Sequence, residues 1–563
     1  MNTISKSFLP GLLFCCFFLF LTCKNKEPIS PQTFQFVTFT NNEDIYSDQV
    51  WKSNEIHFVS KVISINNAIL RIEPGATIKF EKNAGISVND SAGLIADGSD
   101  STIYFTSDSQ ENGFWKYILF TENSLADSCK LINCIIEYGG GDSEHTGAVI
   151  CDNTSPVINS CRISQSLHSG IVLKGNCREI EFCNNLITFC DSAPIQTYAC
   201  NVSFIGINVF LENQVNYLKI IDDQINYNDT WYKQPIPIRL TKGLNITNST
   251  LKITAGVELN FEQDQRLEIG LGGCLNADGS NAAIIFTGAD SGSWDGIVFE
   301  SSSNFTNSKL FNCTIESGGE NETFPANIVL KNAYPEISNC KINNSKGYGV
   351  YLEGAFAPGS FVNNQFSNNS SGAISISANA ISSLNPQNFG TDETNFILVR
   401  GGYQEGAIVV DGHWKNFEVP YILNNTVQII SSTLTIDPSV RIIMSELSSF
   451  EILSQAGLIA DGKFGQIIIE GEKHYAGYWK NIYFSQNANI NNCQLINCQI
   501  KYGGGDINQP GMIYCDQNSP VIRNCYIENS GSWGIYVNGN FAIQDLNTNV
   551  FYNNVNGDFY SSP

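Results

Sequence analysis

Beyond residue 22, apolar side chains come in short bursts. Runs of four to seven residues such as Ile132–Ile136, Val157–Ile163 and Gly170–Leu173 are separated by Gly, Asn, Asp and Ser, the signature of short strands divided by turns. No long segment sustains apolar residues at helical spacing, so helix is a minor component. The bursts also keep time, because Cys134, Cys161 and Cys183 succeed one another at the interval of a single solenoid turn. An all-β chain with that rhythm is expected to close as a right-handed parallel β-helix. A β-propeller needs four antiparallel strands in each blade, and here the strands are too widely punctuated. With ~4.8 Å of rise per coil, ~22 coils give a rod on the order of 100 Å long.

A longer period lies over the short one. Trp51, Trp231 and Trp414 recur at nearly equal intervals, and Leu70, Leu251 and Leu434 repeat those intervals almost to the residue. The motifs between follow suit: LRIEPGATIKF, LKITAGVELNF and LTIDPSVRIIM; GLIADGS, CLNADGS and GLIADGK; INCIIEYGGGD, FNCTIESGGEN and INCQIKYGGGD. So many landmarks in one order imply three divergent units of about 180 residues. We place them at 39–219, 220–401 and 402–563, the third about one coil shorter than the others. Asn185, Asn364 and Asn549 follow Cys161, Cys340 and Cys525 at one constant offset, which keeps the units in register for a further coil.

Residues 1–22 hold one charged side chain, Lys6, and an apolar run from Phe8 to Leu21 broken by Pro10 and Gly11. That pattern reads as a secretory signal, too short and too broken for a membrane span. The sequence Phe20-Leu21-Thr22-Cys23 resembles a bacterial lipobox, which implies lipidation of Cys23 and residues 23–38 as a tether. Thr22 is larger than the usual residue before the cysteine, so ordinary signal cleavage stays open. Without residues 1–22 the chain carries 30 basic and 54 acidic side chains, a net charge of −24. Such a surface repels phosphate backbones and disfavours polyanions, which excludes nucleic acid as a partner. Calcium enters only as a bridge between the carboxylates of the chain and those of an acidic glycan; no other cofactor is expected.

Setting aside Cys15, Cys16 and Cys23 leaves 15 cysteines. Cys134, Cys313 and Cys498 correspond between units, as do Cys151 and Cys515, with Leu330 in the same place of the second unit. A position that accepts leucine belongs to a core, so buried thiols are expected, disulfides between adjacent coils being the alternative. The spacings are not those of a zinc site, and none of the five histidines recurs between units. Asp142, Glu144 and His145 form one dense polar cluster, but the third unit keeps only Asp506 of it, which favours a solvated turn. Asp97, Asp278 and Asp461 suit the turn of Asp-Gly. Asn133, Asn312 and Asn497, with Asn339 and Asn524, are expected to stack as an amide ladder at coil corners. No catalytic residue or metal site is assigned. Candidate ligand contacts are aromatic: Tyr138 and Tyr502 before glycine-rich loops, and Trp115, Trp294 and Trp479. Exposed rings of that kind stack on sugars, whereas packing under a loop is the competing fate.

Taken together, IEPGATIKF, GLIADGS, INCIIEYGGGD, SPVINSCRIS and GSWGIYVNG resemble the right-handed parallel β-helix repeat proteins of bacterial surfaces, Bacteroidetes-like lipoproteins above all. The resemblance spans nearly all of residues 40–560. It implies a lipid-anchored protein of the cell envelope, held to the membrane by its lipid and placed at the outer membrane, and it implies little about activity. We expect a non-enzymatic rod that binds a glycan or another surface protein through the flank of its repeated loops. Pectate-lyase-like β-helix enzymes share the fold class, so a divergent polysaccharide lyase or glycoside hydrolase is the rival reading. The chain lacks the NTD, GDD, GHG and RIK segments of polygalacturonase-like hydrolases. A structural envelope spacer is the third reading.

Overall fold

The structure is a computed structural model that describes residues 37–563 apart from 54, 355–359, 386, 388, 390–394 and 403–405. The signal segment, Cys23 and nearly all of the tether lie outside the described residues. The rest winds into a β-solenoid of about 21 turns, with strands of two to six residues in the order of the chain. Neighbouring coils pair in parallel, as Thr77–Phe80 does with Ile103–Thr106, and Cys134–Glu137 with Arg162–Ser164. Parallel pairing puts like positions of successive coils on top of one another, so each inward side chain stacks on its counterpart. Ile78, Phe105, Ile136, Ile163 and Ile187 form one such column, and all are fully buried. The alternation of apolar and polar residues along each strand thus becomes a continuous core with a polar outside.

Corners are made by left-handed residues. Asn133, Asn312 and Asn497 take φ of 48°, 50° and 51°, a region that Asn tolerates better than most side chains, and each donates its amide to the carbonyl of the glycine in the Asp-Gly turn one coil below. The buried amide ladder lies elsewhere. Asn185 accepts the Cys161 N–H at 2.9 Å, Asn364 that of Cys340 at 3.0 Å and Asn549 that of Cys525 at 2.9 Å. The constant offset visible in the sequence is therefore the spacing of a hydrogen bond between coils. Asp97, Asp278 and Asp461 each accept the N–H two residues on, as a structural turn requires.

Corresponding strands of the three units do not lie on one sheet. Thr77–Phe80 belongs to an eight-stranded sheet, Glu258–Phe261 to a 13-stranded sheet and Arg441–Met444 to a 14-stranded sheet. Near Ala199 to Trp231 the eight-stranded sheet ends at Val209–Leu211, while the 13-stranded sheet runs on through Leu218–Ile220 to Ile238–Leu240. Two sheets start here, at Gln224–Ile225 and Asp229–Trp231. The same exchange recurs where Ala407–Ile408 and Gly412–Trp414 begin new sheets. The strands carrying corresponding motifs are thus shifted by one face each time, while the hydrophobic core as a whole continues from Ile45 to Ile543. Among the described residues, the loops that follow corresponding strands therefore do not share one flank from unit to unit.

Candidate functional site

The repeated aromatic residues are packing elements. Trp115, Trp294 and Trp479 have no exposed surface, and each donates its indole N–H to a backbone carbonyl, of Glu137, Glu316 and Lys501, at 2.7–2.8 Å. Trp115 stacks on Phe80, and Trp294 on Phe261, with ring centres 4.3 Å apart in both. The glycine after each loop tyrosine makes room for the indole: a Cβ on Gly139 or Gly503 would come within 2.8 Å of the ring of Trp115 or Trp479. A sugar cannot reach such rings. Tyr138 is 8% exposed, and Tyr502 lies half-buried against His474, ring centres 4.9 Å apart. Their strands, Cys134–Glu137 and Cys498–Lys501, are on different sheets, so these two tyrosines do not form one patch.

Asp142 pins its own loop. It accepts the N–H of Glu144 and His145 at 3.0 and 2.9 Å, and Lys116 lies 2.8 Å from its other oxygen. Burial opposes ionisation there, but the hydrogen bonds from Lys116 and His145 outweigh it and hold Asp142 well below the ordinary carboxylate range. The cysteines are all free thiols among the described residues, 13 of them buried and Cys183 and Cys200 partly so. Among the described residues no three His, Cys, Asp or Glu side chains converge as a metal site requires.

A different region, where the first unit gives way to the second, has the features of a binding site. Three adjoining hollows of about 430, 580 and 520 Å³ open there. Tyr232 lines the first and third, and Phe204 the second and third, so the hollows form one cleft. The cleft follows from the change of face: the irregular segment Ala199–Phe204 takes the place of a strand, and the strands at Gln224 and Asp229, the first of their sheets, have no strand paired below them.

Its walls combine an open ring with unpaired polar groups. Tyr232 is 55% exposed and Ile207 80%. Asp229 is 8% exposed; its Oδ1 accepts the Thr230 N–H at 2.8 Å, and its Oδ2 has no protein partner. Gln234 is 9% exposed; its amide donates to the carbonyls of Ile205 and Tyr232 at 3.3 and 3.4 Å, and its Oε1 is likewise unpartnered. Arg178 Nε, Ser203 Oγ and Tyr227 OH add to the same set. Buried polar atoms are nearly always satisfied, so a concentration of exceptions calls for a reason. The Arg178 guanidinium lies 3.9 Å from the Tyr227 ring centre and 5.6 Å from that of Phe204. On the same irregular segment as Phe204, burial and the nearby Asp222 push the Cys200 thiol up to about 12. Burial also raises Asp222, whose carboxylate accepts the Ala199 N–H.

Recurrence along the chain does not mark these residues, because the cleft is made of exceptions. Tyr232 stands where the other units have Lys52 and Lys415 after the tryptophan, and Arg178 where they have Ala357 and Ala542. No protein-family model, no curated protein and no solved structure matches the chain.

Proposed function

We propose that the chain is a glycan-capturing rod of the bacterial cell surface, a lipoprotein of the Bacteroidetes-like kind held to the outer membrane through Cys23, and that it binds its glycan without cleaving it. The observation that carries this reading is the open ring of Tyr232, set between two hollows whose walls offer the unpartnered acceptors of Asp229 and Gln234. A sugar has the complementary surface: C–H faces that stack on an aromatic ring, and hydroxyl groups that donate to buried acceptors at its edge. A rigid rod on a lipid tether would hold such a cleft away from the membrane, where extracellular polysaccharide is found.

The test uses the chain from Glu27 to Pro563, which keeps every described residue. It is passed over immobilised neutral and acidic polysaccharides with and without calcium, and the flow-through is examined for cleavage products. Retention without cleavage, abolished by Tyr232→Ala, is the expected result. Release of shortened chains would transfer the protein to the lyases and hydrolases. Neither retention nor cleavage would favour an envelope spacer. The anchor has its own check: Cys23→Ser should release the protein from the membrane fraction of expressing cells.

A further inference from the structure

Arg178 gives the cleft a chemical preference. Three other arginines hold a carboxylate within 2.8 Å, Arg239 that of Glu262 and Asp290, Arg266 that of Glu268 and Arg441 that of Glu470, while Arg71, Arg162 and Arg523 are exposed to water. Arg178 has no ion pair among the described residues. Its guanidinium lies against the ring of Tyr227 and near that of Phe204, a contact that orients the group without neutralising it, and its Nε has no partner. It lines the hollow that Phe204 joins to the Tyr232 side of the cleft. In a chain of 54 acidic and 31 basic residues, a guanidinium left without an acid is where an anion from outside can be bound. A flat fork of N–H donors matches a carboxylate best.

The rest of the lining carries both signs of charge. Glu179 lines the same hollow as Arg178, Asp229 and Lys252 line the next, and Lys233 lines the remaining one. Of these cations only Arg178 is a flat fork held against aromatic rings, the geometry that suits a carboxylate. We infer that the cleft takes a glycan bearing an acidic sugar, with the carboxylate on Arg178, a neighbouring ring on Tyr232 and hydroxyl groups on Asp229 and Gln234. This rests on the glycan reading above and adds the class of sugar.

The experiment is a calorimetric or fluorescence titration of the Glu27–Pro563 protein with lactose, sialyllactose and trigalacturonate. Sialyllactose and trigalacturonate are expected to bind at least tenfold more tightly than lactose, with an advantage that shrinks as salt is added. Arg178→Met should erase the advantage, and Arg178→Lys should restore part of it. An unchanged thermal unfolding midpoint of Arg178→Met reports that the variant is folded. Equal binding of lactose and sialyllactose by the unaltered protein would overturn the acidic-sugar inference and leave the glycan reading standing. Failure of all three sugars to bind would overturn both readings together.

Discussion

Trp294 and Tyr232 are both large aromatic residues beside a strand, and their fates are opposite. Trp294 recurs as Trp115 and Trp479; it is sealed under a loop, stacked on Phe261 and hydrogen-bonded to the Glu316 carbonyl. Tyr232 replaces a lysine found in the other units, and its ring stands open between two hollows. In a solenoid each rung answers mainly to its neighbours. A side chain kept in every unit therefore serves what every rung needs, which is packing. A side chain present in only one is released from that duty. The contrast assigns stability to the recurring residues and recognition to the exceptions, and variants can test each half.

The largest effect is expected from Trp294→Ala. Loss of a fully buried indole leaves a cavity beside Phe261 and an unpaired Glu316 carbonyl, at a cost of about 3–5 kcal/mol. Because coils can unfold in groups, the readout is hydrogen exchange resolved by peptide: protection should fall in Glu258–Phe261 and Cys313–Glu316 and persist in distant coils. Undiminished protection there would break the link between recurrence and packing.

Next comes the amide ladder. Asn185 accepts the Cys161 N–H and donates to the Ile158 carbonyl and to Asn208, all inside the rod. Asn185→Leu keeps the volume and strands those backbone groups, at about 1–3 kcal/mol for each group left unpaired. Urea unfolding followed through the first unit should shift to lower concentration. The exposed Arg162→Ala in the same unit provides the control, with little change expected.

The first two variants bear on how much was legible beforehand. The coil rhythm carried the fold, because apolar residues at a fixed spacing can stack only if the coils are parallel. Recurrence at a constant offset from a cysteine located Asn185, Asn364 and Asn549 without revealing their hydrogen bonds, since a spacing does not say which way an amide points. Recurrence also marks Trp115, Trp294 and Trp479, but it does not tell a ligand contact from a packed ring, and burial makes them the latter. The turn of one face between units was illegible: it depends on how the irregular path from Ala199 to Ile225 closes in space. With it went the cleft, whose walls come from segments well separated along the chain, from Arg178 to Gln234.

Thiol chemistry sharpens the comparison without any cost to the fold. Recurring cysteines such as Cys134, Cys313 and Cys498 are buried, whereas Cys183 and Cys200, near the junction and without counterparts, are only partly so. Burial and the nearby Asp222 push Cys200 up to about 12, and Cys183 is raised by burial and Glu181. The thiolate is the reactive form, so raising the pKa suppresses reaction near neutrality. Alkylation of native protein at mildly alkaline pH, mapped by peptide, should mark Cys183 first and Cys200 slowly, with Cys200 accelerating as the pH rises towards its pKa. The buried thiols should react only after unfolding. Early labelling of Cys134, Cys313 or Cys498 would show that the recurring core is looser than its packing implies.

The smallest expected change in stability is also the most discriminating. Tyr232 is 55% exposed, so Tyr232→Ala should alter stability by no more than about 0.5 kcal/mol, as surface substitutions usually do. Returning the position to lysine, as in Lys52 and Lys415 of the other units, should be tolerated equally well. Both variants should nevertheless lose retention on the glycan that the unaltered protein holds. If Tyr232→Lys unfolds the junction, the tyrosine is packing after all and the division between recurring and exceptional residues fails where it matters most. If both variants fold and still bind, recognition lies in another part of the rod, and Tyr232 is an exception without a role in capture.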